Sequence, residues 1–286
     1  MAPVYYRRRR EDVLTELPEL IETEQWCSLQ PQERLIYEQA ILDGSFMAAR
    51  RVSWNVPDLR YSSKGQRLLE LVGEAKEEGR KVIVFSYFLD TIEKVRRLMG
   101  ENCMLPINGS VAPAQRQEIV DAFEAAPAGA VLPAQIQAGG TGLNIQTASV
   151  VILCEPQLKP SIENQAISRA YRMGQTRNVL VYRLLAEDTV DEEILQMLAD
   201  KQAAFDAYAD ESVAGQESLE LDQSAMGEIM LKEKLRIQKL RTVQGEIVEE
   251  MPGLPEPEQE ALPRKDTEVL PEADTVQGLP APENLS

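Results

Sequence analysis

Ser63-Lys-Gly-Gln-Arg-Leu-Leu-Glu-Leu-Val-Gly-Glu-Ala-Lys-Glu-Glu-Gly-Arg-Lys-Val-Ile-Val-Phe-Ser86 joins two periodicities end to end. Lys64 to Glu78 carries leucines and valine at helical spacing between charges, which predicts an amphipathic helix closed by Gly79. Lys81 to Ser86 is short and almost wholly apolar, which predicts a strand covered on both faces. The alternation continues downstream. Asp90–Met99 reads as a helix ended by Gly100, Met104–Ile107 as a strand and Pro113–Phe123 as a helix. Val131–Gln137 is a third strand containing Pro133, and Val150–Cys154 a fourth. Pro160–Met173 is a helix with Pro160 in its first turn, Val179–Leu185 a fifth strand and Asp191–Tyr208 a longer helix. Apolar strands alternating with amphipathic helices predict an α/β fold, a parallel sheet with helices on both faces.

The flanks read differently. Residues 11–50 mix acidic, apolar and helix-forming residues, with a break at Pro18 and a helix start near Pro31, where Leu35 and Ile36 open an apolar face. Residues 50–62, around Trp54, Pro57 and Asp58, form a connection. A further amphipathic helix is predicted over about Ala225–Leu240. Residues 243–286 are proline-rich and acidic, a composition that cannot bury a core, and predict a disordered tail.

Composition excludes several classes of chemistry. The 286 residues contain no histidine, so imidazole bases, Ser-His-Asp triads and histidine metal sites are absent. Three scattered cysteines, Cys27, Cys103 and Cys154, fit neither a zinc site nor a disulfide framework, and point to the cytoplasm. No apolar run reaches the roughly 18 residues of a membrane span, and the start has no apolar signal region. The net charge of −17 is shared about equally between the acidic tail and the rest of the chain, where Arg7 to Arg10, Arg50, Arg51, Arg169, Arg172, Arg177 and Arg183 lie. The sum therefore neither supports nor excludes a basic groove.

Four segments carry candidate chemistry. Gln165-Ala-Ile-Ser-Arg-Ala-Tyr-Arg-Met-Gly-Gln-Thr176 places Gln165, Arg169 and Arg172 at spacings of four and three. On a helix these share a face, and two planar guanidiniums suit a polyphosphate; the plain alternative is solvation or pairing with Glu163. Gly139-Gly-Thr-Gly-Leu-Asn144 follows a strand, where glycines let backbone N–H groups approach an anion and Thr141 adds a hydroxyl; a tight turn explains it equally. Asn108-Gly-Ser110 ends a strand, with Ser110 either a helix cap or a phosphate seat. Ser86 closes a strand as a turn residue or a phosphate contact, and the neighbouring Phe85, Tyr87 and Phe88 serve core packing or base stacking. Nowhere is there a Gly-Lys-Ser or Gly-Lys-Thr to close a P-loop. Asp191, Glu192 and Glu193 follow no buried strand directly, and favour a helix first turn over a magnesium-binding acidic motif.

Together these segments resemble the C-terminal motor lobe of Swi/Snf-type helicase-like ATPases, in helicase superfamily two. Lys81–Ser86 looks like motif IV, Asn108–Ser110 with Arg116 and Phe123 like the next block, Gln137–Asn144 like motif V and Gln165–Thr176 like motif VI. The resemblance runs in order over residues 5–212, and extends to Arg9–Val13 and Glu16–Pro18 as the link between lobes. Tyr171 stands where the family commonly has histidine, Gln137 where lysine is frequent, and Glu155–Pro160 where a tryptophan-rich segment often follows.

The resemblance implies a RecA-like lobe over 63–212, link and brace helices over 1–62, a helical extension over 213–242 and the tail over 243–286. It implies Arg169 and Arg172 as arginine fingers, with Gly142 and Gln165 also facing nucleotide. It implies Ser86, Asn108, Gly109, Ser110, Gly140, Thr141 and Asn144 as contacts to the backbone of duplex DNA. No metal ligands are implied here. ATP and Mg2+ would be used only with an N-terminal P-loop lobe, supplied upstream in the same polypeptide or by another chain. A non-catalytic nucleic-acid or protein binding module is the alternative.

Overall fold

The computed structural model describes residues 18–138, 145–208 and 220–249. The Arg7–Arg10 run, the glycine-rich loop 139–144 and the tail beyond 249 lie outside the described residues. In chain order the elements are β1 (Leu20–Cys27), α1 (Pro31–Leu42), α2 (Phe46–Ala49), α3 (Ser63–Glu77), β2 (Val82–Ser86), α4 (Leu89–Met99), α5 (Pro113–Ala125), β3 (Val131–Gln135), β4 (Val150–Leu153), α6 (Pro160–Ile167), β5 (Val179–Ala186), α7 (Val190–Tyr208) and α8 (Gln223–Glu249). Residues up to Thr242 form one compact unit, and the chain from Val243 a second.

All strand pairs are parallel, in the order β1-β5-β4-β2-β3. The central strands β2 and β4 are buried along their whole length. Side chains of a strand alternate between faces, and here both faces are filled. Ile83, Phe85, Leu132, Ala134, Val151 and Leu153 pack with Ile119, Val120 and Phe123 of α5 and Ala166 and Ile167 of α6. Val82, Val84, Val131, Val150 and Ile152 pack with Leu68, Leu71, Val72 and Ala75 of α3 and Val95 and Met99 of α4. A third core lies between α1, α2, α7 and α8, around Tyr37, Ile41, Phe46, Ile194, Ile229 and Ile237.

The helix that opens the lobe is set locally. The Ser62 hydroxyl accepts the Gly65 N–H at 2.9 Å, capping α3. A Cβ at Gly65 would sit 2.8 Å from the Ser62 Oγ, so the cap requires a glycine there. Gly79, at φ +68°, lies just beyond the helix in the left-handed region that glycine favours.

Three expectations are corrected. Leu20–Cys27, within the presumed link, is an edge strand paired with β5. Its outward positions include Glu22 and Glu24, and charged residues are how an edge strand resists pairing with other chains. Met104–Ile107 is not a strand but two isolated bridges, Cys103 to Val131 and Ile107 to Ala134. Pro106 in that segment and Pro133 opposite each lack an N–H, and a ladder cannot run through two missing donors. The helix from Pro160 stops at Ile167 and not Met173. The Ser168 hydroxyl takes the Gln165 carbonyl at 2.6 Å, the acceptor that the Arg169 N–H would use in a continuing helix. That N–H turns instead to Ala166, at 3.1 Å.

Candidate functional site

The arginines therefore sit on a turn beyond α6, not on one helix face with Gln165. Gln165 remains exposed on α6, Arg169 is half-buried and Arg172 is exposed. Glu163, the neighbour that was to neutralise them, is engaged elsewhere. One oxygen receives Arg183 at 2.7 Å and the other the Gln157 N–H at 2.9 Å. Among the described residues the Arg172 guanidinium makes no hydrogen bond or ion pair. Tyr171, at the histidine position, lies half-buried against the core.

The turn is held by Gln175, a buried polar side chain outside the sequence-predicted site residues. Its amide nitrogen donates to the carbonyls of Gln146, Ala148 and Ala170, and its oxygen accepts the Arg177 N–H. The Arg169 carbonyl accepts the Ile145 N–H at 3.1 Å. Ile145 directly follows the glycine-rich loop, so the arginine turn adjoins the end of that loop. Gly140, Thr141, Gly142 and Asn144 themselves lie outside the described residues.

The Asn108 block forms a second locus. The Asn108 side-chain oxygen accepts the Ser110 N–H at 2.9 Å and hydroxyl at 2.6 Å, an Asx turn at the surface. Ser110 is not the cap of α5, whose N-cap is Ala112 with Pro113 next. The Gly109 N–H reaches the Gln135 side-chain oxygen at 3.4 Å, and the Gln135 amide reaches the Tyr87 carbonyl at 3.4 Å. The ends of β2 and β3 and the Asn108 turn are thus brought together.

Ser86 is at that junction but is 1% exposed. Its hydroxyl donates to Glu155 at 2.9 Å and accepts the Phe88 N–H at 3.1 Å. This is the turn role; with both hydroxyl functions used and no surface, Ser86 offers nothing to a phosphate. Glu155 is also buried and takes the Tyr87 N–H at 2.7 Å and the Gln157 amide at 3.1 Å. Burial pushes its carboxyl above the usual range, against the pull of nearby Arg50 and these hydrogen bonds. Phe85 and Phe88 are core residues, and Tyr87 stands edge-on to Phe88 at 5.2 Å.

Most of the candidate basic groove is consumed internally. Arg50 donates to the Pro156 carbonyl at 2.6 Å and lies 5.3 Å from the Phe88 ring centre. Arg51 pairs with Asp90 at 3.0 Å. Arg177 takes the Gly79 and Glu78 carbonyls at the end of α3, and Arg183 bridges Glu163 and Glu22. Lys64 and Asp191 form another buried pair, at 2.6 Å. Among the described residues no cluster of three or more His, Cys, Asp or Glu is placed to hold a metal ion. Nor is any described helix long and apolar enough to cross a membrane.

A five-stranded parallel sheet with helices on both faces defines the class, a RecA-like fold. Residues 63–174 match the family model of the helicase conserved C-terminal domain. An uncharacterized ATP-dependent helicase of Mycoplasma pneumoniae is 32% identical over 241 residues, covering 76% of this chain and 23% of the relative. The C-terminal part of the Fun30 ATPase domain aligns at TM-score 0.63 and 18% identity, covering 78% of this chain and 99% of that one. The Sulfolobus solfataricus SWI2/SNF2 ATPase core in complex with dsDNA aligns at TM-score 0.58 and 24% identity, covering 77% of this chain and 52% of that one. Residues 63–174 carry the helicase conserved C-terminal domain, and the chain is similar to the C-terminal part of SNF2-type ATP-dependent helicase-like proteins. It spans less than a quarter of that bacterial relative's length.

Proposed function

We propose that this chain is the C-terminal motor lobe of an ATP-dependent DNA translocase, acting on duplex DNA together with a P-loop lobe. The observation that carries this is Arg172: an exposed guanidinium with no protein partner among the described residues, on a turn pinned by a buried glutamine. An uncompensated guanidinium carried on a held backbone turn costs little to aim at charge on another body. Arg169 and Arg172 act as arginine fingers, and Gln165 and Gly142 face the same nucleotide. The P-loop lobe holds ATP and Mg2+, since this chain contains no Gly-Lys-Ser or Gly-Lys-Thr. Asn108, Gly109 and Ser110 grip the DNA backbone, as do Gly140, Thr141 and Asn144. Ser86, buried and bonded to Glu155, stands apart from that set. The three free cysteines suit a cytoplasmic setting.

The test combines the chain with a P-loop lobe and measures ATP turnover with and without duplex DNA. The pair should hydrolyse ATP in a DNA-stimulated manner, and Arg172→Ala should lower the rate by about 10³-fold or more. The chain alone should show none above background. Full activity in Arg172→Ala sinks the finger assignment, and turnover by the chain alone sinks the need for a second lobe. The internal engagement of Arg50, Arg51, Arg177 and Arg183 favours a second reading, a non-catalytic module that binds protein. Absence of both duplex binding and stimulated turnover in the combined system would select it.

A further inference from the structure

Gln175 is 6% exposed although it belongs to a surface turn. Its amide nitrogen meets three carbonyls, those of Gln146 at 2.9 Å, Ala148 at 3.0 Å and Ala170 at 3.2 Å. Its oxygen accepts the Arg177 N–H at 3.0 Å, and its own N–H donates to the Arg172 carbonyl at 3.0 Å. Two of those carbonyls belong to the segment after the glycine-rich loop and one to the arginine turn. Gln146 returns the contact by donating its side-chain amide to the Met173 carbonyl. Gly174 between them is at φ +97°, and a Cβ there would lie 2.9 Å from the Gln146 Oε1. With the Ile145 to Arg169 backbone bond, three separate ties join residues 145–148 to residues 169–175.

We infer that Gln175 is a positioning residue that makes these two segments one cooperative unit and thereby fixes the direction of Arg172. The inference deepens the proposed function and rests on it for the role of Arg172; the latch itself rests on the hydrogen bonds above. A buried amide that serves two segments loses all its bonds at once when removed, so both segments should loosen together.

Amide hydrogen exchange on the purified chain tests this. In Gln175→Ala, peptides spanning 145–149 and 168–175 should exchange about tenfold faster, while α3 and β2 keep their protection. Gln175→Glu has the same shape and still accepts from Arg177 but cannot donate; it should loosen the same pair of segments. Loosening of one segment alone, or of neither, overturns the inference. Uniform acceleration across the chain, or failure of both variants to fold, overturns it in favour of a general structural role. A short DNA duplex added to the wild type should slow exchange at 168–175, and this response should vanish in Gln175→Ala while protection at 107–111 persists. Absence of duplex binding by the wild type removes the DNA half of the proposed function and leaves the latch to the duplex-free comparison.

Discussion

Lys64 and Asp191 show how single residues hold this lobe. Both are buried, and the ammonium also reaches the Cys154 carbonyl at 3.3 Å, while the carboxylate takes the Ala186 N–H at 3.0 Å. The second Asp191 oxygen has no hydrogen-bond partner among the described residues. The pair thus ties α3 to the ends of β4 and β5. Lys64→Ala leaves a charge buried and alone, and should cost about 3–5 kcal/mol in urea denaturation. Replacing both residues by apolar ones of similar size should recover much of that loss. Glu155 gives a pH signature of opposite character. Its folded carboxyl is raised above its unfolded value by burial, so the folded state holds its proton more tightly. Stability contributed by this group is present at low pH and declines as pH rises from the ordinary carboxylate range through the raised value. Melting temperatures followed upward from pH 5 or so should fall less steeply in Glu155→Gln than in the wild type. An unchanged slope would refute the assignment.

At the scale of elements, the start of α3 is the most local of the structures here. Ser62 and Gly65 make one cap between them, so Ser62→Ala and Gly65→Ala should each cost about 1 kcal/mol in thermal melts. The double variant should cost little more than either, because both remove the same bond. Elements of this kind were legible in the chain. Helix α3, the buried strands β2 and β4, and the long strand β5 announce themselves by periodicity and by glycine and proline punctuation. What was not legible depended on partners far away. Strand β1 has an acidic, solvent-facing edge, and its pattern is not that of a buried strand. The end of α6 depends on a serine hydroxyl and on Ile145 taking the Arg169 carbonyl. The same limit applies to the site. The arginine pair could be picked out by chemistry and spacing, but the burial of Ser86 and the bonds of Gln175 are set by segments distant in sequence.

At the scale of the molecule, the brace helices and the C-terminal extension are not independent flanks. The Tyr37 hydroxyl donates to Glu233 of α8 at 2.6 Å and accepts the Val190 N–H at 2.8 Å, which joins α1, α7 and α8 at one buried point. Leu221, Ala225, Ile229 and Ile237 complete the apolar core there. Ending the chain at residue 219 uncovers that core. With roughly 1.5–3 kcal/mol for each buried leucine or isoleucine, the truncation should cost on the order of 5 kcal/mol, comparable to the whole stability of a domain. Loss of cooperative unfolding by circular dichroism would check this; an unchanged melting profile would show that α8 is dispensable.

Strand β1 is made before the strand it pairs with. The Glu19 N–H bonds the Asn178 side chain across 159 residues of chain, and Leu20 through Cys27 pair with Val179 through Ala186. On a ribosome, this segment emerges long before the strand it needs. Until that partner emerges it is an unpaired acidic stretch, and its charges then serve the nascent chain as much as the finished sheet. Closing so long a loop carries an entropic cost that only the completed neighbour repays, so pairing of β1 with β5 is expected to follow formation of the sheet's centre.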